Sequence, residues 1–187
     1  DGGWTQRAIT TPNGAYDVAV QNFDADTDLD VLATGRMGDT VGVAENDGTP
    51  IDGGWTIHSM TSLDGAEGLD LGDIDGDGDN DVAVAGYDGD RVVWYQNNGT
   101  ISAENWTQYD VVTAINQPLD VDIADIDKDG YGDIAIANDN NTAQDTTAGI
   151  MWQENDSTPT NGGWTTRNLI AGTSRGNAAV LYDVDED

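Results

Sequence analysis

Two short acidic stretches decide the fold: DIDGDGDND at residues 73–81 and DIDKDGYGD at residues 125–133. Each places aspartates at positions 1, 3, 5 and 9 and a glycine at position 6. A calcium ion in a protein loop takes about six to eight oxygen ligands, from alternate carboxylates, a backbone carbonyl near position 7 and water. The spacing therefore predicts two loops that each wrap a hard divalent cation.

The residues around these loops predict β-strands and not helices. The glutamate that would close an EF-hand loop at position 12 is replaced by Val84 and Ile136, which are apolar. Alanine alternates with β-branched residues directly after each loop, and a similar alternation precedes it, which is the period-two pattern of a strand. Each loop is therefore predicted to join two strands of a hairpin.

An ordinary turn without metal is the alternative for one such stretch, because Asp, Asn and Gly favour turns. Recurrence argues against it, since residues 22–30 repeat the spacing with Asn22 at position 1 and Thr27 in place of the glycine. Residues 182–187 begin a fourth copy. The candidate ligands are the odd-numbered positions of the four copies: Asn22, Asp24, Asp26, Asp28, Asp30; Asp73, Asp75, Asp77, Asp79, Asp81; Asp125, Asp127, Asp129, Tyr131, Asp133; and Asp183, Asp185, Asp187.

A repeat of about 50 residues extends well beyond the loops. A Trp-Thr pair recurs at offsets of 51, 51 and 58 residues, beginning at Trp4, Trp55, Trp106 and Trp164. A further shared block lies between each loop and the next tryptophan, at residues 41–46, 92–97 and 150–155. A period of this length with several short strands is typical of propeller blades or another repeat array.

One period contains four predicted strands, with the acidic loop between strands one and two. Strand one is predicted at residues 17–23, 69–74 and 119–126. The predicted fold class is all-β, built from β-propeller blades of four antiparallel strands with a calcium-binding loop in each. The whole chain, 1–187, is taken as one repeat region, with blades near 16–60, 68–111 and 119–170 and partial strands at 3–10 and 178–187.

The combined pattern resembles the FG-GAP or VCBS-type repeat of integrin-like β-propellers. An apolar residue leads into D-x-D-x-D-G-x-x-D and a β-branched run, and W-Y-x-N-x-G follows at residues 94–99. The resemblance covers nearly the whole chain and is most specific at the two intact loops. It implies a closed ring of blades with structural calcium, in secreted or cell-surface proteins that adhere to partners or carry an enzyme domain elsewhere.

Three full blades are fewer than the roughly four to eight of known propellers. Repeat units bury their apolar faces against neighbours, so an isolated arc would leave such faces exposed. We therefore expect that this chain is part of a larger propeller, or that further blades or self-association complete the ring.

The net charge is extreme: 36 acidic and 6 basic residues give −30 at pH 7. Four calcium ions would bring this to about −22, whereas a magnitude of roughly 2 to 8 is ordinary for a small domain. High salt screens such self-repulsion, since the Debye length is about 3 Å at 1 M. A halophilic or marine source is therefore favoured, with an acidic surface in an ordinary extracellular medium as the alternative. Nucleic acid is not expected as a partner, because phosphate binding needs basic patches.

Several residue types and patterns are missing from the sequence. Without cysteine the chain has no disulfide framework, thiol nucleophile or zinc–thiolate site. No apolar run approaches the roughly 18 residues that span a membrane, so membrane insertion is not expected. Glycosylation sequons begin at Asn98, Asn105, Asn140 and Asn155. An extracellular, secreted or cell-surface setting is predicted.

Catalysis finds little support in the sequence. His58 is the single histidine and has no repeated partner, so a solvated or packing role is favoured over a triad. The recurring aromatic residues Trp94, Tyr95 and Trp152 are predicted to pack the blades, although sugar stacking is the alternative. A ligand would more readily use residues that differ between blades: Arg36, Tyr87, Asp88, Arg91 and the polar insertion at 139–147.

The sequence therefore predicts a calcium-stabilised extracellular β-propeller module that serves adhesion, protein or glycan binding, or surface structure, without catalysis. Two alternatives stay open. The chain could be the propeller domain of a secreted polysaccharide-degrading enzyme, or a subunit of a surface filament or layer.

Overall fold

Twelve β-strands in three four-stranded antiparallel sheets make up the computed structural model. It describes residues 6–9, 12–24, 26–51, 53–102, 105–139, 149–171 and 177–181, and these contain no α-helix. The strands are β1 Ala15–Gln21, β2 Asp30–Gly35, β3 Thr40–Asn46, β4 Trp55–Ser59, β5 Ala66–Gly72, β6 Asp81–Gly86, β7 Arg91–Gln96, β8 Thr107–Thr113, β9 Pro118–Ala124, β10 Asp133–Asn138, β11 Gly149–Asn155 and β12 Trp164–Ala171.

Each sheet is an up-and-down meander of four consecutive strands, in the orders β1-β2-β3-β4, β5-β6-β7-β8 and β9-β10-β11-β12. This is the arrangement of a propeller blade, and the predicted all-β class with four antiparallel strands per blade is confirmed. The described residues form three such blades and do not close a ring. No helix among them is long and apolar enough to cross a membrane.

Strand one ends earlier in every blade than the sequence predicted. It stops at Gln21, Gly72 and Ala124, in each copy two residues before the predicted end. The reason is a change of hydrogen-bond acceptor: the Ile74 N–H donates to Oδ2 of Asp81 at 2.9 Å and not to a strand. The equivalent bonds join Phe23 to Asp30 and Ile126 to Asp133.

The hydrophobic core lies between successive blades. Leu32 and Val43 of the first blade pack with Leu69, Val84 and Tyr95 of the second. On the opposite face of the second blade, a cluster that includes Trp94 packs against Val121, Ile134 and Ile136 of the third. The side chains of Trp94 and Tyr95 are both fully buried, which confirms that these two aromatic residues pack the blades.

Aspartates on strand one also tie each blade to the next. Their carboxylates accept hydrogen bonds from backbone N–H groups of β5, of β9 and of the segment 177–181, which would otherwise lack a partner. The bonds join Asp17 to Leu69 at 3.1 Å, Asp70 to Ile123 at 2.7 Å and Asp120 to Ala179 at 3.0 Å. Ala179 is buried against Ala135 and Ala137 of the third blade.

Some predicted elements fall partly or wholly outside the described residues. Of the predicted strand at 3–10, residues 6–9 are described and are not in a strand. Residues 178–181 are likewise described and are not in a strand. Three further predicted features lie outside the described residues: Trp4, the fourth loop with Asp183, Asp185 and Asp187, and residues 140–147 of the polar insertion.

Candidate metal centres

The acidic loops are named here A (residues 22–30), B (73–81) and C (125–133). In loop B, the carboxylates of Asp73, Asp75 and Asp77 each place an oxygen within 4.8 Å of the others. The Asp73 side chain organises the turn: Oδ1 accepts hydrogen bonds from the N–H groups of Gly76 at 2.8 Å and Asp77 at 3.1 Å. Loop B therefore gathers three carboxylates around the residue at position 1.

The glycine at position 6 makes this winding possible. Gly78 has φ +97°, which L side chains rarely adopt, and its N–H donates to Oδ2 of Asp73 at 3.0 Å. Gly130 has the same role in loop C, with φ +96° and an N–H that donates to Oδ2 of Asp125 at 2.9 Å. The two intact copies of the sequence pattern thus fold in the same way.

Loop C gathers a slightly different trio of carboxylates. Oxygens of Asp125, Asp127 and Asp133 lie within 4.8 Å of one another. Asp129 is not in this group; its carboxylate accepts hydrogen bonds from the Tyr131 N–H at 3.0 Å and from the Ser157 hydroxyl at 3.4 Å. The structure therefore brings together positions 1, 3 and 5 in loop B but positions 1, 3 and 9 in loop C.

Position 9 has a structural role that the sequence did not reveal. The Asp81 carboxylate is buried, and its two oxygens accept the N–H groups of Ile74 and of Asn97, at 2.9 and 2.8 Å. It thereby joins the start of the loop to the end of strand three. The same pairs of bonds are made by Asp30 with Phe23 and Asn46, and by Asp133 with Ile126 and Asn155. The asparagine that recurs at the end of each strand-three block was the available signal.

The electrostatics of loop B suit a bound cation. The pKa of Asp81 is raised to about 8, chiefly by burial and in smaller part by the charges of Asp75 and Asp77, against the lowering effect of its two backbone hydrogen bonds. Burial also raises the pKa of Asp75. The loop contains no basic residue, so a cation is the charge that would favour the ionised carboxylates. A donor set made only of oxygen fits a hard ion such as calcium or magnesium.

Loop A is wound differently. Its Asn22 side chain accepts the Asp24 N–H at 3.1 Å through Oδ1 and donates to the Asp26 carbonyl at 2.7 Å through Nδ2. Thr27 occupies position 6 and does not have a positive φ. A β-branched residue strongly disfavours a positive φ. Among the described residues, no compact group of three carboxylates like those of loops B and C includes a side chain of loop A.

Three of the residues suggested for ligand binding do come together, at the junction of the first two blades. Arg36 makes two hydrogen bonds of 3.1 Å to Asp88 and lies 3.9 Å from the centre of the Tyr87 ring. It also contacts Glu67, at 2.5 Å, whose side chain is fully buried and was not suggested by the sequence. Arg91 lies apart from them and pairs with Asp110 at 3.4 Å.

His58 lies on β4 beside Glu45 of β3, with 2.6 Å between Nε2 and Oε2. The pair bridges two neighbouring strands of one sheet. This pair lies on strands three and four of the first blade, whereas each acidic loop connects strands one and two of its blade.

Comparison with known proteins supports the interpretation of the two intact loops. The family model described as FG-GAP-like repeat matches residues 73–136, which begin at the first candidate ligand of loop B and run through loop C into β10. No curated protein matches the chain at a significant level. The resemblance inferred from the spacing of the aspartates is confirmed over this segment, where residues 73–136 match the FG-GAP-like repeat.

Proposed function

We propose that this protein is a calcium-stabilised propeller module that acts outside the cell as a binding or structural unit and not as a catalyst. The observation that carries the proposal is the shared winding of loops B and C around their first aspartates, Asp73 and Asp125. Each loop gathers three carboxylates that repel one another unless a cation lies between them.

The residues that would hold the ion follow from this geometry. In loop B they are Asp73, Asp75 and Asp77, with the backbone carbonyl of Asp79 at position 7. In loop C they are Asp125, Asp127 and Asp133, with the carbonyl of Tyr131. Bound calcium supplies fixed positive charge at the turn between strands one and two of a blade.

A stabilising role fits the position of the loops. The cation would bind the folded loop and not the unfolded chain, which adds RT ln(1 + [Ca]/Kd), or about 2.7 kcal/mol per site at a hundredfold excess over Kd. Each loop is joined by its position 9 carboxylate to the end of strand three, so order in the loop extends to three strands of the blade.

Thermal unfolding at constant ionic strength, with calcium or with excess chelator, tests the proposal. We expect a large fall in Tm on chelation in the natural protein. The Asp75→Asn/Asp127→Asn variant changes position 3 of loops B and C and should show little response to chelator. Asp24→Asn changes the same position in loop A and is the matched control, which should respond like the natural protein. A natural protein whose Tm is the same with and without calcium would contradict the proposal.

The first blade supports a place within a larger propeller. Val18 on β1 is 60% exposed, whereas its repeat equivalents Leu69 and Val121 are buried against a preceding blade. We infer that another four-stranded blade covers this face. Ile9 and Pro12 lie 51 residues before Met60 and Leu63, which are buried at the junction of the first and second blades. The junction of the first blade with a preceding blade can therefore use equivalent residues.

The acidic excess supports a saline extracellular setting. The carboxylates outside the metal loops repel one another across the surface, and high salt screens this repulsion. The expected sign is a Tm that rises with potassium chloride at saturating calcium; a Tm that falls with salt would argue against this setting.

A further inference from the structure

We propose that loops B and C bind their cations as a coupled pair, through direct contacts between the two loops. This inference rests on the proposed function, since it requires both loops to take a cation. It adds that the ion in one loop raises the affinity of the other loop, and that loop A is not part of the pair.

The first contact joins the two backbones. The Gly132 N–H of loop C donates to the Asp73 carbonyl of loop B at 3.1 Å. Gly132 is buried, and a Cβ at this position would lie 2.9 Å from that carbonyl oxygen. The approach is therefore open only to glycine, and Asp73 is the residue whose carboxylate organises loop B.

The second contact is made by one buried side chain of the third blade. Nδ2 of Asn155 donates to the Ile74 carbonyl in loop B at 2.8 Å and to the Gly132 carbonyl in loop C at 3.3 Å. The Asn155 backbone N–H donates to Oδ1 of Asp133, a member of the carboxylate group of loop C, at 2.8 Å. One residue thus fixes both loops at once.

The third contact is a ring against a turn. The ring of Tyr131, at position 7 of loop C, lies so close to Gly76 of loop B that a Cβ on Gly76 would be 3.0 Å from its Cε1 atom. Tyr131 would offer its backbone carbonyl to the ion in loop C, and its ring packs on loop B. The same residue therefore belongs to the site of one loop and contacts the other loop.

Loops A and B meet differently, which provides an internal comparison. A polar cavity of about 300 Å³ lies between them, lined by Asn22 and Asp24 on one side and by Asp79 and Asn80 on the other. Asp79 and Asn80 occupy the positions that Tyr131 and Gly132 hold in loop C. Asn80 Nδ2 donates instead to Oε1 of Gln21, the last residue of β1, at 2.9 Å.

Coupling follows from the shared order of the two loops. The Asp73 carboxylate would hold a cation in loop B, and the order gained there would extend to the Asp73 and Ile74 carbonyls. These carbonyls accept the hydrogen bonds of Gly132 and Asn155, which shape loop C. The second cation therefore binds to a loop that is already ordered, which gives positive cooperativity without a large structural change. Coupling of this kind is typically about five-fold or more in affinity and is reciprocal.

Calorimetric titration of the whole chain with calcium chloride tests the inference. All variants carry Asp24→Asn, so that loop A contributes no site, and 1 M potassium chloride shortens the Debye length to about 3 Å to suppress the effect of charge removal. Adding Asp75→Asn leaves loop C alone, and adding Asp127→Asn leaves loop B alone. We expect each lone loop to bind, and the product of the two association constants of the paired loops to exceed the product of the lone values at least five-fold.

A further variant separates coupling from folding. Tyr131→Ala removes the ring contact but keeps the carbonyl at position 7 and the contacts of Gly132 and Asn155. Both loops should still bind, and the ratio of the paired product to the lone product should fall below that of the protein with Tyr131. Asp79→Asn is the matched control, because position 7 of loop B lines the cavity and not the contact with loop C. It should leave the ratio of the paired product to the lone product unchanged. If the product of association constants in the Asp24→Asn protein equals the product of the two lone-loop values, the coupling is overturned and the proposed function is left intact. No calcium binding at either loop, in a chain that retains its β-sheet circular dichroism, would overturn both.

Discussion

The Asp81 carboxylate accepts the Asn97 backbone N–H at 2.8 Å in the interior of the second blade. Its other oxygen accepts the Ile74 N–H at 2.9 Å, so a single side chain fixes the entrance of loop B and the end of strand three. The same arrangement in all three blades makes position 9 a structural residue whether or not the loop holds a cation.

Replacing this residue should destabilise the fold even where no metal binds. Asp30→Ala in loop A leaves two buried N–H groups without acceptors, at about 1–3 kcal/mol for each group. We expect the free energy of unfolding in urea to fall by about 3 kcal/mol, to a similar extent with calcium and with chelator. Asp64→Ala, an exposed aspartate, is the control and should stay within about 0.5 kcal/mol of the natural protein. A loss for Asp30→Ala that appears only with calcium would contradict a structural role.

The ion pair of Arg36 with Glu67 should contribute strongly to the junction of the first two blades. Arg36→Met leaves the fully buried Glu67 carboxylate unpaired, and such a loss costs about 3–5 kcal/mol at fully buried sites. Because the Arg36 side chain is 36% exposed, we expect about 2–3 kcal/mol in chemical denaturation.

A double-mutant cycle separates this pair from general packing. Arg36→Met/Glu67→Leu should recover most of the lost stability, since no buried charge remains. Arg91→Met breaks the exposed pair with Asp110 and should cost less than about 1 kcal/mol. Equal losses for Arg36→Met and Arg91→Met would show that burial of Glu67 has no energetic weight.

The Asp70 carboxyl should make the stability depend on pH. Its pKa is raised from the ordinary 3.8 to about 6, chiefly by burial and in smaller part by the neighbouring Asp122. A raised folded pKa means that this contribution is fully present below about pH 4 and is lost as the pH rises through 6. Asp70→Asn keeps an acceptor for the Ile123 N–H and removes the cost of ionisation.

We therefore expect Asp70→Asn to flatten the decline in unfolding free energy between pH 4 and 6. At pH 7 it should stabilise the protein by up to about 1 kcal/mol, after allowance for solvent screening of a partly exposed group. Urea unfolding across this pH range measures both effects, and Asp64→Asn is the control. An unchanged slope in Asp70→Asn would assign the pH dependence to other groups.

Loop A should gain a cation site when its winding is restored. Asn22→Asp/Thr27→Gly supplies the carboxylate at position 1 and the glycine that positive φ requires at position 6. The number of calcium ions bound per chain in equilibrium dialysis should rise by one. Thr27→Gly alone lacks the position 1 carboxylate and should not show this gain. An unchanged count in the double variant would mean that other features of loop A prevent binding.

The exposed face of the first blade should promote association. Val18 and Val20 are 60% and 58% exposed on β1. We expect Val18→Gln/Val20→Gln to lower the self-association of the chain, measured by sedimentation velocity in high salt, where charge repulsion is screened. Ile51→Gln changes a similarly exposed residue in a turn and should have little effect.

The sequence predicted the blades well because their signals are local. Loop spacing, period-two strands and the Trp-Thr pairs repeat along the chain, and each reflects the conformation of a few neighbouring residues. The similar winding of loops B and C followed from the glycines at 78 and 130. Thr27 in place of the glycine was a sign that loop A differs. Its winding could not be derived from the sequence, because Asn22 at position 1 is itself compatible with a ligand role.

The missed residues act across long separations in the chain. Glu67 stands in a strand with no sign that its carboxylate is buried, and its partner Arg36 is 31 residues away. The second role of Asp81 depends on Asn97, which belongs to another strand. Contacts such as Asn155 with Ile74 span 81 residues, and spacing alone does not reveal them.

The aspartates that join successive strands one have a consequence for aggregation. An edge strand with free N–H groups can recruit an extended segment of another protein. At Leu69 and Ile123 the N–H is already occupied by a carboxylate, from Asp17 and Asp70 respectively. Part of the acidic excess of this chain therefore protects its inner sheet edges against unwanted strand addition, independently of salt and of calcium.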